Sequence, residues 1–125
     1  ENRVTVLCGD GEEAVSQLKQ KETAPFDLVF IDAAKSHYRR FLDAALTVSC
    51  EDAVILCDNV LFKAKVADDR YDPNGKHKTN VRRMREFLEY IGQHPGMESS
   101  VLAVGDGISV TKRKPAAAAA AEQKK

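Results

Sequence analysis

Phe26-Asp27-Leu28-Val29-Phe30-Ile31-Asp32-Ala33-Ala34-Lys35-Ser36-His37-Tyr38 is the stretch on which the fold of this chain turns. Phe26 to Ile31 is a nearly continuous apolar run, the pattern of a strand buried on both faces. The run stops at Asp32 and the period changes. Tyr38, Phe41, Leu42, Ala45 and Leu46 fall at i, i+3, i+4, i+7 and i+8, one apolar stripe of a helix. A second strand of the buried type follows, Ala53 to Cys57, ending at Asp58-Asn59. Strands joined through a helix require a crossover, and a crossover implies parallel pairing.

Working outward toward the N-terminus, Val4 to Leu7 is a short β-branched run that stops at the turn signal Gly9-Asp10-Gly11. A helical pattern begins at Glu12, with Ala14, Val15 and Leu18 on one face and Glu12 and Glu13 in the first turn, where the helix dipole favours them. Pro25 ends that unit. Toward the C-terminus, a polar stretch from Ala67 to about Thr79 is long for a loop in a compact domain. Val81, Met84, Phe87, Leu88 and Ile91 define a third helix, closed by Gly92 and Pro95. Ser99 to Val104 and Ile108 to Thr111 read as strands joined by Gly105-Asp106-Gly107, whose Asp-Gly suits the positive-φ positions of a hairpin turn. The expected class is α/β: a parallel sheet covered on both faces, with an antiparallel hairpin at its edge. Residues 1–114 form the domain, and 115–125, with six alanines followed by Glu-Gln-Lys-Lys, read as an Ala/Lys-rich disordered tail.

Composition narrows the function classes. The 125 residues suit one domain, and 43% hydrophobic with 30% charged is the profile of an ordinary folded protein. No apolar run approaches the roughly 20 residues that span a bilayer, so no membrane partner is expected. The 19 basic and 19 acidic residues cancel, which leaves no long-range attraction to nucleic acid. Cys8, Cys50 and Cys57 make neither a zinc pattern nor a disulfide scaffold. They read as small buried hydrophobes in a reducing, cytoplasmic protein. The chain begins at Glu1 rather than Met, with a strand-like run three residues later, and so reads as the remainder of something longer.

In open α/β sheets, ligands gather beyond the carboxyl ends of the parallel strands. Asp10, Asp32 and the Asp58-Asn59 pair all follow predicted strands. Two carboxylates and a side-chain carbonyl at adjacent strand ends make a hard oxygen site suited to Mg²⁺ or Ca²⁺. The competing reading is that such residues cap the next helix or form turns. Lys35 stands at a helix entrance, an unfavourable place for a cation. Near a metal ion and partly desolvated, its pKa would fall and it would serve as a general base; otherwise it is a solvated surface lysine.

The segment from Phe26 to Tyr38 resembles the "DLVFIDADKxxY" segment of cation-dependent, S-adenosylmethionine-dependent O-methyltransferases, the branch that includes catechol and caffeoyl-CoA O-methyltransferases. Val54 to Phe62 resembles that family's "GGLIVVDNVLW", Leu102 to Val110 its "LPIGDGLTL" hairpin, and Val4 to Gly11 its strand ending in "GDA". The resemblance runs in register from about Val4 to Lys112. It implies a partial Rossmann-like class I methyltransferase sheet and transfer of a methyl group from S-adenosylmethionine (SAM) to a substrate hydroxyl. By the same resemblance Asp32, Asp58 and Asn59 would hold Mg²⁺ or another divalent cation such as Ca²⁺, and Lys35 would be the catalytic base. Asp10 and Gly11 would meet the adenine of SAM, and Asp32 its methionine part.

The chain departs from the family pattern at Ala34, where a second Asp is usual, and at Glu51-Asp52-Ala53, where Gly-Gly is usual. Phe62 replaces a usual Trp and Ala64 a usual Gly in the loop that shapes the substrate pocket. The glycine-rich cofactor loop and the acidic residue that holds the ribose belong to an N-terminal half that the chain lacks. In the family's strand order, 3-2-1-4-5-7-6, that absence leaves the Val4–Leu7 strand without a neighbour and makes Phe26–Ile31 an exposed apolar edge. The chain alone is therefore expected to fold marginally and to bind cofactor poorly.

The partner implied is a small catechol-like or CoA-ester hydroxyl substrate, with a homodimer as a possible assembly. Lys76, His77, Lys78, Arg82, Arg83 and Arg85 form a basic cluster without interleaved aromatics. It reads as a solvated face, with RNA as the alternative partner if the chain is instead a tRNA hydroxyuridine methyltransferase. A third reading is a truncated, non-catalytic interaction module that docks through its open sheet edge.

Overall fold

The computed structural model describes residues 2–22 and 25–115. The predicted tail lies outside these residues, apart from Pro115. In chain order the elements are α1 (Gly11–Gln20), β1 (Phe26–Ile31), a 3₁₀ turn (Lys35–His37), α2 (Tyr38–Leu46) and β2 (Ser49–Asp58). A second 3₁₀ turn (Asp69–Tyr71), α3 (Lys78–Gln93), β3 (Met97–Leu102) and β4 (Ile108–Arg113) follow. The four strands form one sheet in the order β1-β2-β4-β3. β1 and β2 are parallel, with Ile31 opposite Cys57, so both strands end at the same level of the sheet. β4 is antiparallel to both of its neighbours. The family order implied by the sequence, shorn of its first three strands, leaves 4-5-7-6, and this is the arrangement observed.

The helices lie on one face. Leu42, Ala45, Met84, Phe87 and Ile91 of α2 and α3 pack with Ile31, Ile55, Cys57 and Met97 of the sheet in a single core. α1 buries none of its residues fully and rests on α2. Along β1 and β2, burial therefore alternates with the pleat. Ile31 is buried, whereas Leu28 and Phe30, on the opposite face, remain 60% and 56% exposed. Two expectations are corrected here. The sheet is covered on one face rather than both, and Phe26–Ile31 is buried on one side only, because among the described residues no helix reaches the other side. The expectation of an exposed apolar edge holds: among the described residues β1 pairs with β2 alone.

Val4–Leu7 forms no strand. It has no neighbour to supply a ladder, and Val4 and Val6 are 74% and 78% exposed. Of the cysteines expected to be buried, only Cys57 is; Cys8 is exposed and Cys50 half-buried. The pKa of the Cys57 thiol is pushed up to about 11, chiefly by burial, against a smaller lowering effect from Ser109. The last strand is tied to the first parallel pair by Arg113. Its guanidinium donates to the carbonyls of Leu46, Ser49 and Cys50, and so caps the C-terminal end of α2.

Candidate functional site

The ends of β1 and β2 carry the cluster that the sequence points to. Asp32 directly follows β1, and the 3₁₀ turn starting at Lys35 bends the chain back toward it. The Lys35 Nζ donates to Tyr38 Oη at 2.6 Å, to Asn59 Oδ1 at 3.1 Å and to Asp32 Oδ1 at 3.4 Å. All three ammonium protons thus have an acceptor. Tyr38 in turn donates its hydroxyl proton to the carbonyl oxygen of Asp58 at 2.6 Å. Its ring is 1% exposed and meets Phe87 edge-on at a centroid distance of 5.7 Å. Tyr38 therefore joins the two strand ends through one side chain.

Asn59 follows β2 with φ of +60°, a left-handed conformation that Asn tolerates better than most residues. The backbone N–H of Asn59 donates to Asp58 Oδ1 at 2.7 Å. The structure thus brings Asp32, Lys35 and Asn59 side chains together, with Asp58 joined through its backbone and its own carboxylate turned toward Asn59. Phe62, Lys63 and Ala64 just beyond also have positive φ, at +51°, +52° and +63°.

Burial alone would depress the Lys35 pKa, but the hydrogen bond to Tyr38 and the Asp32 carboxylate outweigh it, and the pKa lies above the ordinary lysine value. Three acceptors hold the ammonium more firmly than partial desolvation disfavours it; the lowering expected beside a bound metal ion is a different condition. Lys35 is not a solvated surface lysine either, since it is tied into the site on three sides.

Asp10 and Gly11 stand apart from this cluster in their contacts. Asp10 is the N-cap of α1, its carboxylate accepting from the Glu13 N–H at 3.0 Å, which is the capping role. Gly11 faces the Phe41 ring of α2. No three His, Cys, Asp or Glu side chains converge among the described residues. The candidate cation site instead combines two carboxylates with an amide. Its chemistry fits a hard cation: the Asp32 and Asn59 oxygens already flank one positive centre, the Lys35 ammonium. A separate cavity of about 510 Å³, bordered by Asp69, Asp72, Lys78, Arg82 and Arg85, shares no residue with the cluster.

Two participants are invisible in the sequence as site residues. Tyr38 reads as an apolar-stripe position, and its spacing of three from Lys35 and its fixed place at the end of the quoted motif are the hints of contact. Asp106 reads as a turn residue, yet it accepts from the backbone of Lys63, 43 positions earlier in the chain. The basic cluster is partly committed elsewhere. Arg85 binds Asp69 and the carbonyls of Lys65 and Val66, while Arg82 and Arg83 pair with Glu86.

Comparison with known proteins shows the family of the chain. The family model described as O-methyltransferase matches residues 1–114. A catechol O-methyltransferase of Mycobacterium tuberculosis is 30% identical over 101 residues, covering 81% of this chain and 42% of that protein. A catechol O-methyltransferase of Niastella koreensis is 28% identical, covering 81% of this chain and 43% of its own length. Among solved structures, an O-methyltransferase from Bacillus cereus in complex with SAH superposes with a TM-score of 0.75 at 29% identity, covering 90% of this chain and 51% of that one. The O-methyltransferase TomG from Streptomyces achromogenes, in complex with SAM, gives a TM-score of 0.69 at 26% identity, covering 86% and 48%. The chain spans about half the length of the curated relatives it matches.

Proposed function

The chain belongs to the O-methyltransferase family, and from that premise we propose that it carries the metal-side part of a site that transfers a methyl group from SAM to a substrate hydroxyl. The observation that carries this reading is the Lys35 Nζ set between Asn59 Oδ1, Asp32 Oδ1 and Tyr38 Oη. Asp32, Asp58 and Asn59 are the residues that would hold a divalent cation, Mg²⁺ or Ca²⁺. When bound, the cation supplies Lewis acidity that lowers the pKa of a coordinated hydroxyl.

The remaining work falls to the chain's own groups. Asp32 and Asn59 fix the acceptor end of the site, and Tyr38 holds Lys35 against them. Lys35, its own proton released to bulk water, takes the substrate hydroxyl proton at Nζ and afterwards returns it to water. The new O–C bond then forms as the C–S bond of the sulfonium breaks, with the electron pair left on sulfur. Such a displacement depends mainly on alignment, which a rigid cluster at two strand ends supplies. Asp10 and Gly11, at the start of α1, would meet the adenine, and Asp32 the methionine part of SAM.

The substrate class is a small vicinal hydroxyl compound, catechol-like or a CoA ester, in a cytoplasmic setting that suits three free thiols. RNA is the weaker alternative, because half of the basic cluster is already paired within the chain. A non-catalytic docking reading keeps one observation in its favour, the exposed Leu28 and Phe30 on an edge strand.

The test is calorimetric titration of SAH into the whole chain with and without Mg²⁺, followed by an assay of methyl transfer from SAM to catechol. SAH binding that Mg²⁺ strengthens, and that Asp32→Ala abolishes, supports the reading. Lys35→Met should keep that binding and lose transfer. A folded sample that binds no SAH in either condition means that this polypeptide alone is not the enzyme.

A further inference from the structure

The turn that closes the β3–β4 hairpin grips the segment leaving Asn59. Val60 N–H donates to the Gly107 carbonyl at 3.2 Å, and Leu61 N–H to the Asp106 carbonyl at 3.0 Å. Lys63 N–H donates to the Asp106 carboxylate at 2.6 Å. Asn59 is therefore the link between a strand end fixed by the sheet and a segment fixed by this turn. The fit is close as well as hydrogen-bonded. Gly107 has φ of +82°, and a Cβ there would stand 2.5 Å from Leu61 Cγ. Phe62, Lys63 and Ala64 keep left-handed backbones that side-chain-bearing residues disfavour, so the segment stays in place only where its neighbours over-determine it. Arg85 supplies the far anchor, donating from Nε to the Val66 carbonyl at 2.9 Å.

We infer that Asp106 is a positioning residue: through Lys63 N–H, with Gly107 against Leu61, it holds the loop that aims the Asn59 side chain at the cation site. This rests on the proposed cation reading. Asp106 touches neither Asn59 nor Lys35 in any hydrogen bond described above, and its effect passes through the backbone of residues 60 to 63.

The experiment is titration of the whole chain with Mn²⁺ alone, followed by electron paramagnetic resonance, together with amide hydrogen exchange on the metal-free chain. Asp106→Ala should weaken Mn²⁺ binding by about tenfold or more, the range seen when a group supporting a metal ligand is removed. It should also speed exchange at Lys63. Asp106→Asn keeps an oxygen that accepts from the same N–H, and should stay within about threefold of the parent chain. Gly107→Ala should weaken binding, and adding Leu61→Ala should restore it in part, since the clash with Leu61 Cγ and Cδ1 is relieved while the φ of +82° and the Leu61 Cβ at 3.2 Å remain. This pair decides the matter if Asp106→Ala fails to fold. Equal Mn²⁺ affinity in the parent and Asp106→Ala overturns the inference while leaving the cation reading intact. Equal loss in Asp106→Ala and Asp106→Asn also overturns it, because charge rather than the hydrogen bond would then be responsible. A folded parent chain that takes up no Mn²⁺ removes the cation reading and this inference with it.

Discussion

The two faces of the sheet are built from the same strands and have opposite fates. On the helix side, Ile31, Ile55 and Cys57 enter the core with Leu42, Met84 and Phe87. On the other side, Leu28 and Phe30 alternate with them along β1 and face outward. Apolar character does not distinguish the two sets; what distinguishes them is whether an element arrives to cover them. The lesson is that a continuous apolar run specifies a strand that can be buried twice, while the topology of the chain decides whether it is.

The comparison breaks first at the core. Leu42→Ala empties a fully buried site on the covered face and should destabilise the chain by about 2 to 5 kcal/mol, measured by urea denaturation. A cost under about 1 kcal/mol would mean that the helical layer does not bear on the sheet as described.

The next effect is a pH dependence. Burial raises the Cys57 pKa from 9.0 to about 11, so the folded state holds the thiol protonated after the unfolded state has begun to ionise. The contribution is present in full below pH 9 and disappears as pH rises toward 11, amounting to about 2 to 3 kcal/mol. Cys57→Ser should flatten that part of the stability profile. A parent profile already flat between pH 9 and 11 would show that water reaches the covered face.

A smaller loss sharpens the contrast at the strand ends. Tyr38→Phe keeps the buried ring and removes the hydroxyl that links Lys35 to the Asp58 carbonyl, which should cost about 1 to 2 kcal/mol of stability. Thermal melting would show it, and no change would mean that water replaces the hydroxyl without loss.

Least of all should come Phe30→Thr, on the open face, with a change within about 0.5 kcal/mol in the same denaturation. If Phe30→Thr proved as damaging as Leu42→Ala, the two faces would not differ as the structure describes. The same substitution should reduce binding of a hydrophobic dye and any self-association measured by sedimentation.

Much of this was legible in residues. Helical periodicity located α2 and α3 within a few positions, because their apolar stripes repeat cleanly from Tyr38 to Leu46 and from Val81 to Ile91. The Asp32 and Asp58-Asn59 positions at strand ends were legible because both strands stop abruptly at acidic residues. Coverage of the sheet was not, since periodicity reports a residue's neighbours along the chain and not what packs across from them. Val4–Leu7 has the composition of a strand but no partner, and pairing is a property of the partner as much as of the segment. The acceptors around Lys35 were not legible, because Tyr38 Oη and Asn59 Oδ1 meet Nζ only in the folded chain. Asp106 was hidden for a related reason: a turn residue shows its turn in the sequence, and its distant backbone partner only in space.

The insertion of β4 between β2 and β3 has a kinetic consequence. β3 is made before β4 and pairs with nothing else in the sheet, while β2 has only β1 beside it until β4 arrives. Two of the sheet's three pairings therefore wait for β4, the last strand among the described residues, and the pairing of Ile55 with Thr111 closes a long loop when it forms. Long-range closure of this kind favours slower refolding than a fold built from local contacts. Loss of a few residues from the C-terminal strand would then act less like trimming an end than like removing the keystone from an arch.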